Sequence, residues 1–240
     1  MSIEWKSPAR NAALTACSAA LYAVLGSLPI SPIIGLPGKA ITAAAIAVPI
    51  IGIILGPYVG TLSTILGGII GFFAGSFSPP SLFAGVFTAL CAGMLCAGRR
   101  ILCIIIYLSL LLCFGFYPSV GPVWLHPPVM WFQILGLLML ASPLQSMAVK
   151  NLNAKNNLNL LSALFITSLT STLMGQIAGS LTFEMFSWPT LIPKVDAWKT
   201  IWQAVTFLYP LERIIISLSA AFLGAALHKA IGTRGKIRAP

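Results

Sequence analysis

The chain has 240 residues, 58% hydrophobic and only 8% charged, with a mean hydropathy of +0.96, far from the roughly 25% charged residues of an average soluble domain. No soluble core could bury that much apolar surface. The formal charge of +10 does not indicate a nucleic-acid partner, because the basic residues sit beside apolar runs and form no continuous basic stripe.

In chain order, the apolar runs fall at 11–28, 40–55, 58–77, 82–98, 101–117, 129–150, 158–181 and 211–230. They are too long and too unalternating for barrel strands, which leaves helices as the way to satisfy their backbone in a bilayer. The first run follows Lys6 and Arg10 and continues into Pro29 and Pro32, which favours a retained anchor over a cleaved leader. The second run is short and separated from the third only by Gly56-Pro57, a step that predicts a tight turn. The segment 201–209 stands before Pro210 and is expected to be an interfacial piece, discontinuous with the last span. Counted from Leu211, that span places Glu212 and Arg213 in its first turn; counted from Ile201, it would push both toward the bilayer middle, where they would be costly and functional.

The expected fold class is all-α: a polytopic integral membrane helical bundle of six to eight transmembrane helices, forming one domain over residues 1–240. With the N-terminus cytoplasmic, the inner segments hold Lys6, Arg10, Arg99, Arg100, Lys150, Lys155, Lys229, Arg234, Lys236 and Arg238. The outer ones hold only Lys39, Lys194 and Lys199, with Arg213 near a span end. That bias places both termini in the cytoplasm and the protein in the cell membrane. The outer gaps are then the Pro- and Gly-rich 29–39, 76–81 with Pro79-Pro80, and two segments rich in tryptophan. Trp124, Trp131, Trp188, Trp198 and Trp202 form either an aromatic belt or, in part, a ligand-facing wall.

The chain lacks the features of an enzyme. It has no HExxH, and its five cysteines include no CxxC pair, so neither a metal site nor a cofactor is expected. It also has no GxxxxGK[ST] loop, so ATP-driven work would need a partner. The acidic residues are Glu4, Glu184, Asp196 and Glu212, few for a proton- or sodium-coupled carrier. Glu212 and Arg213 are the strongest polar pair near a span. A first-turn Glu favoured by the helix dipole beside a snorkelling Arg is one account of them, and ligand recognition is the other. Gln176, Glu184 and Gln133 are weaker candidates of the same kind, and His126 in WLHPP is either solvated or ligand-facing.

Small residues recur at four-residue spacing, at Gly52, Gly56 and Gly60, at Gly67, Gly71 and Gly75, and at Ala12, Ala16 and Ala20. Such rows allow close helix approach. The opening AALTACSAALYAVL, the later ILGPYVGTLSTILGGIIG and the closing YPLERIIISLSAAFLGAALHKAI resemble the S component of an energy-coupling factor (ECF) transporter, most over the first hundred residues. The resemblance implies a membrane subunit that captures a vitamin or similar small organic micronutrient from outside. It would then work with a shared transmembrane coupling subunit and two cytoplasmic ATPases. The AxxxA pattern implicated in docking to the shared subunit maps onto Ala12, Ala16 and Ala20, with Ala19 and Ala23 as a second register. The family typically has six spans, whereas eight runs are counted here. Trp188, Trp198, Trp202, Glu212 and Arg213, with Gln176 and His126, are the expected substrate-binding residues. An autonomous secondary permease for a small molecule and a non-transport membrane assembly protein are the alternatives.

Overall fold

The computed structural model describes residues 8–154 and 156–237, with side chains through Ala230. Glu4, Lys6, Lys155 and Arg238 lie outside the described residues, and the side chains of Arg234 and Lys236 are likewise not described. In order come α1 (Pro8–Leu25), β1 (Pro29–Pro32), β2 (Ala40–Thr42), α2 (Ala44–Phe73), α3 (Pro79–Cys96), α4 (Arg100–Gly115) and the short α5 (Pro122–Leu125). A 3-10 turn at Pro127–Met130 follows, then α6 (Trp131–Ala141), α7 (Pro143–Asn151), α8 (Asn157–Ser187) and α9 (Val195–Ile237). About 80% of the structure is helical.

Among the described residues, four helices are long and apolar enough to cross a membrane: α2, α3, α8 and the Val195–Ala230 part of α9. A fifth is formed if the pair Pro127–Ala141 and Pro143–Asn151, bent by 68°, counts as one span. These helices are those of a membrane-embedded protein. α1 and the 16-residue α4 fall short of the same criterion, α1 because Arg10 and Asn11 occupy its first turn.

The two runs expected at 40–55 and 58–77 both fall largely in α2, which is interrupted at Gly56 (φ 78°, ψ −178°). There the chain reverses. A Cβ on Gly60 would lie 3.1 Å from the Gly52 Cα, whereas residues eight apart on one straight helix are separated by about 12 Å of rise. α2 is therefore a hairpin of two arms, 44–55 and 57–73, turning where only Gly takes the required φ without strain. Gly93 of α3 seats directly on this turn, since a Cβ there would be 2.5 Å from the Pro57 nitrogen. Gly67 meets the Ala19 carbonyl of α1 in the same close manner, so the glycine rows act as backbone-to-backbone packing surfaces.

α8 is the central helix, with 78% of its most apolar window buried. A helix covered on all sides needs no polar face, yet Thr167, Ser168, Thr170, Ser171 and Thr172 are all buried along it. Thr170 Oγ1 lies 2.9 Å from both the Ile166 carbonyl and Gln145 Oε1 of α7, its one proton shared between the two acceptors. The break between α6 and α7 follows from Pro143, which cannot continue the i→i−4 ladder. Arg100 clamps that break: its Nε donates to the Leu140 carbonyl (2.8 Å), Nη2 to the Ser142 carbonyl (2.8 Å) and Nη1 to Ser146 Oγ (2.6 Å).

One sequence expectation needs correcting. The expected helical bundle carries one small addition, in which β1 and β2 pair antiparallel and make the 29–42 segment a hairpin strap. The segment 201–209, however, is not separate from the last helix, since α9 runs through Pro210. Proline removes the N–H that would bond the carbonyl four residues earlier, that of Thr206. Trp131 supplies the substitute: its indole Nε1 donates to the Thr206 carbonyl at 3.1 Å. With that carbonyl satisfied, and with Trp198 and Trp202 fully buried in the preceding turns, packing holds the helix continuous where local propensity would end it.

Candidate functional site

Three walls and a lid meet at the end of the bundle opposite the Gly56 turn. The walls are the N-terminal part of α3, the C-terminal half of α8 and the middle of α9, with α1 and the first arm of α2 closing the side of one lobe, and the lid is the strap. The cavity they enclose has two lobes of about 70 Å³ and 80 Å³, and Ile41, Ser81, Ala84 and Arg213 line both. The first lobe is completed by Tyr22, Thr42, Val48 and Phe77. The second is completed by Ile33, Gln176, Phe183, Trp202 and Tyr209.

Each wall is placed by a local cause. Pro79 and Pro80 start α3 behind the N-cap Ser78, whose side chain accepts from the Ser81 backbone N–H, and this fixes Ser81 at the rim. Tyr22 stacks on Phe77 at 5.0 Å between ring centroids, and Gly85 leaves the room that the Tyr22 hydroxyl occupies. Trp202 is anchored by its Nε1 donating to the Val120 carbonyl at 2.8 Å and by an edge contact with Phe114. The cavity wall at Trp202 is thus tied to the α4–α5 loop.

The strap is tied down at three points. The Ser31 hydroxyl donates to Glu212 Oε1. Lys39 Nζ donates to the Gly75 carbonyl at 2.8 Å. At its tip Gly35 (φ +89°) lies so close to α8 and α9 that a Cβ would be 2.7 Å from Phe183 Cζ and 3.2 Å from Ile201 Cδ1. Glycine is required there both by the backbone conformation and by the close approach.

The polar inventory is unbalanced. Arg213 is 8% exposed and is the one charged residue among those lining either lobe. Its Nε is buried without a hydrogen-bond partner among the described residues, as are both amide atoms of Gln176. Glu212, the sequence neighbour, points to the strap, with its second carboxylate oxygen buried and unpartnered. Buried polar groups are ordinarily paired, so the buried Nε of Arg213 and the amide of Gln176, neither with a hydrogen-bond partner among the described residues, mark a place where a further group could supply the partners.

Of the residues singled out in the sequence, Trp202, Arg213 and Gln176 line the cavity, and Glu212 holds its lid. Trp198 lies behind the wall, fully buried, with its rings 5.1 Å from Phe183 and 5.7 Å from Trp202. Trp188 caps the end of α8, and His126 sits in the loop between α5 and the following 3-10 turn; neither is among the cavity-lining residues. Gln133 is buried beside α4, whose Tyr107 hydroxyl donates to its carbonyl, and Glu184 is fully buried with both oxygens unpartnered. Sequence reasoning missed Ser31, Gly35, Tyr22, Phe77, Ser81 and Tyr209. Only the Pro/Gly character of the strap and the Pro79-Pro80 helix start hinted at any of them. Among the described residues no three His, Cys, Asp or Glu side chains could together hold a metal ion.

On α1, Ala12, Ala16 and Ala20 are exposed, whereas Ala19 is buried against Gly67. The second register is thereby used up inside the fold, at least at Ala19. Ala12 and Ala16 of this row border an apolar groove of about 420 Å³ formed with Tyr58, Val59, Leu62 and Leu66 of the second α2 arm. Arg99 lies at the same end, donating to the Tyr58 hydroxyl at 3.0 Å.

The architecture is that of a largely helical chain with several helices long and apolar enough to lie in a membrane, and its strap covers two adjoining, partly open pockets. Compared with known proteins, the chain matches no family model, and no curated protein or solved structure is significantly similar to it.

Proposed function

We propose that this chain is the substrate-capturing membrane subunit of an ATP-driven importer of the ECF type, taking up a vitamin or similar small organic micronutrient. The observation that carries the reading is the cavity beneath the strap, where Arg213 and Gln176 have buried polar atoms without partners. In this reading the strap end faces outside and the basic end, with both termini, faces the cytoplasm. The crossings number eight: α1, the two arms of α2, α3, α4, the bent α6–α7 pair, α8 and α9. The short first arm of α2, about 18 Å by its 12 residues, is tolerated because its neighbours shield it.

The lobes are small beside the roughly 300 Å³ or more of ordinary ligand pockets, so a micronutrient enters by lifting the strap from Glu212, Gly75 and Phe183. Energy comes from partner ATPases that reach this chain through a shared coupling subunit seated on the Ala12, Ala16 and Ala20 face. Affinity purification of the tagged chain from native membranes tests this directly. Recovery of ATPase subunits, lost in Ala16→Leu while the folded protein persists, is the expected result. Uptake by the chain alone in ATPase-free vesicles would refute the reading and identify an autonomous permease.

A further inference from the structure

We infer that the molecule captured in this cavity is a monocarboxylate, its carboxylate bound by Arg213 and its body held between the aromatic walls. This inference rests on the capture reading above and narrows its substrate class. A guanidinium is always charged and its fork matches a carboxylate in bidentate fashion. Here it is 8% exposed, opens into both lobes and has a buried Nε with no partner. No acidic side chain is among the described residues lining either lobe; the adjacent Glu212 attracts the guanidinium electrostatically but makes no hydrogen bond to it, its Oε1 accepting from Ser31 of the strap. A buried charge without a hydrogen-bonded counterpart is costly, and an anionic ligand is what removes the cost.

The rest of the lining limits that ligand to a single negative charge. No second cation is among the described residues lining either lobe. The helix N-terminus nearest the cavity is a poor anion site, because Pro79 and Pro80 have no N–H and the Ser81 N–H is already given to Ser78 Oγ. A dianionic phosphate monoester would therefore find one partner where it needs several. Gln176, with its amide nitrogen and oxygen both unpaired, offers one donor and one acceptor to a neutral polar group. Phe183, Trp202 and Tyr209 beside it, and Tyr22 and Phe77 in the other lobe, supply flat apolar faces.

The test uses matched acid and neutral pairs with the full-length protein in lipid nanodiscs: nicotinate and nicotinamide, biotin and biotin methyl ester, pantothenate and pantothenol. Binding is read by tryptophan fluorescence, with Trp202→Phe assigning the signal to the cavity, and by the shift in thermal midpoint. The expected result is at least one acid bound about 30-fold or more tightly than its neutral partner. That preference is lost in Arg213→Gln and partly kept in Arg213→Lys, and the thermal midpoint of each unliganded variant shows that it is folded. Equal or tighter binding of the neutral partner, or a preference that survives Arg213→Gln, overturns the carboxylate assignment and leaves the capture site standing. If no member of the panel changes either signal, the monocarboxylate inference is overturned, while the capture reading stands or falls separately on recovery of the ATPase subunits.

Discussion

Substituting Ser31→Ala should loosen the lid without touching the cavity wall. The Ser31 hydroxyl is the strap's hydrogen bond to Glu212, and with it gone the closed state keeps a buried carboxylate that no strap group satisfies. A hydrogen bond to a charged group is worth about 1.5–3 kcal/mol. Because Ser31 is only half-buried, the lower part of that range applies, about 1.5–2 kcal/mol. The ratio of open to closed strap then rises by about 10- to 30-fold. Lys39 and the Gly35 tip still restrain the strap, so the hairpin itself persists. A cysteine placed at Ser180, which lines the second lobe, reports the open fraction through its rate of modification by a charged, membrane-impermeant thiosulfonate. The rate is expected to rise by the same factor in Ser31→Ala and by less in Glu212→Gln, which retains an acceptor oxygen. An unchanged rate in Ser31→Ala would refute the assignment of Ser31 and Glu212 as the latch.

Three further outcomes follow from the same geometry. Arg213→Gln should raise the thermal midpoint of the unliganded protein, because the desolvation of its buried charge outweighs the attraction of the adjacent Glu212; a fall would mean that the attraction of its neighbours is the larger of the two. Arg100→Ala strips three hydrogen bonds from the α6–α7 break, so a loss of at least about 1.5 kcal/mol is expected even if only one of them is strong, read as a lower midpoint in a detergent melt. Gly93→Ala forces a Cβ against Pro57 and should cost about 1–3 kcal/mol through overpacking, whereas the same change at Gly98, where a Cβ meets nothing, costs only the strain of its positive φ.

Much of the molecule was legible in one dimension because its causes are local. Apolar length marked the helices, and Gly56-Pro57 marked a turn from the proline's effect on its neighbour and the glycine's freedom. The Pro/Gly segment 29–39 could be recognised as a loop of special character. Arg213, Gln176 and Trp202 stood out because a charge, an amide and a large aromatic near apolar spans are each costly or conspicuous. Other features depend on partners distant in sequence. Pro210 argued for a helix end, and the helix continues because Trp131, 75 residues away, takes over the carbonyl that the proline leaves free. Trp198 looked like a belt or pocket residue and is instead packed behind the wall, a distinction set by which neighbours cover it.

The sequence by itself indicated a helical, membrane-embedded protein, because apolar length acts segment by segment against the bilayer. Tertiary structure alone decided that the strap pairs with itself as a β-hairpin, that Ser31 meets Glu212 across 181 positions, and that Arg213 faces a cavity with its Nε unpaired. It also decided which alanines of α1 remain uncovered: Ala19 is covered by Gly67, and Ala12, Ala16 and Ala20 are left outside. These are properties of contact between remote segments, and no periodicity along the chain encodes them.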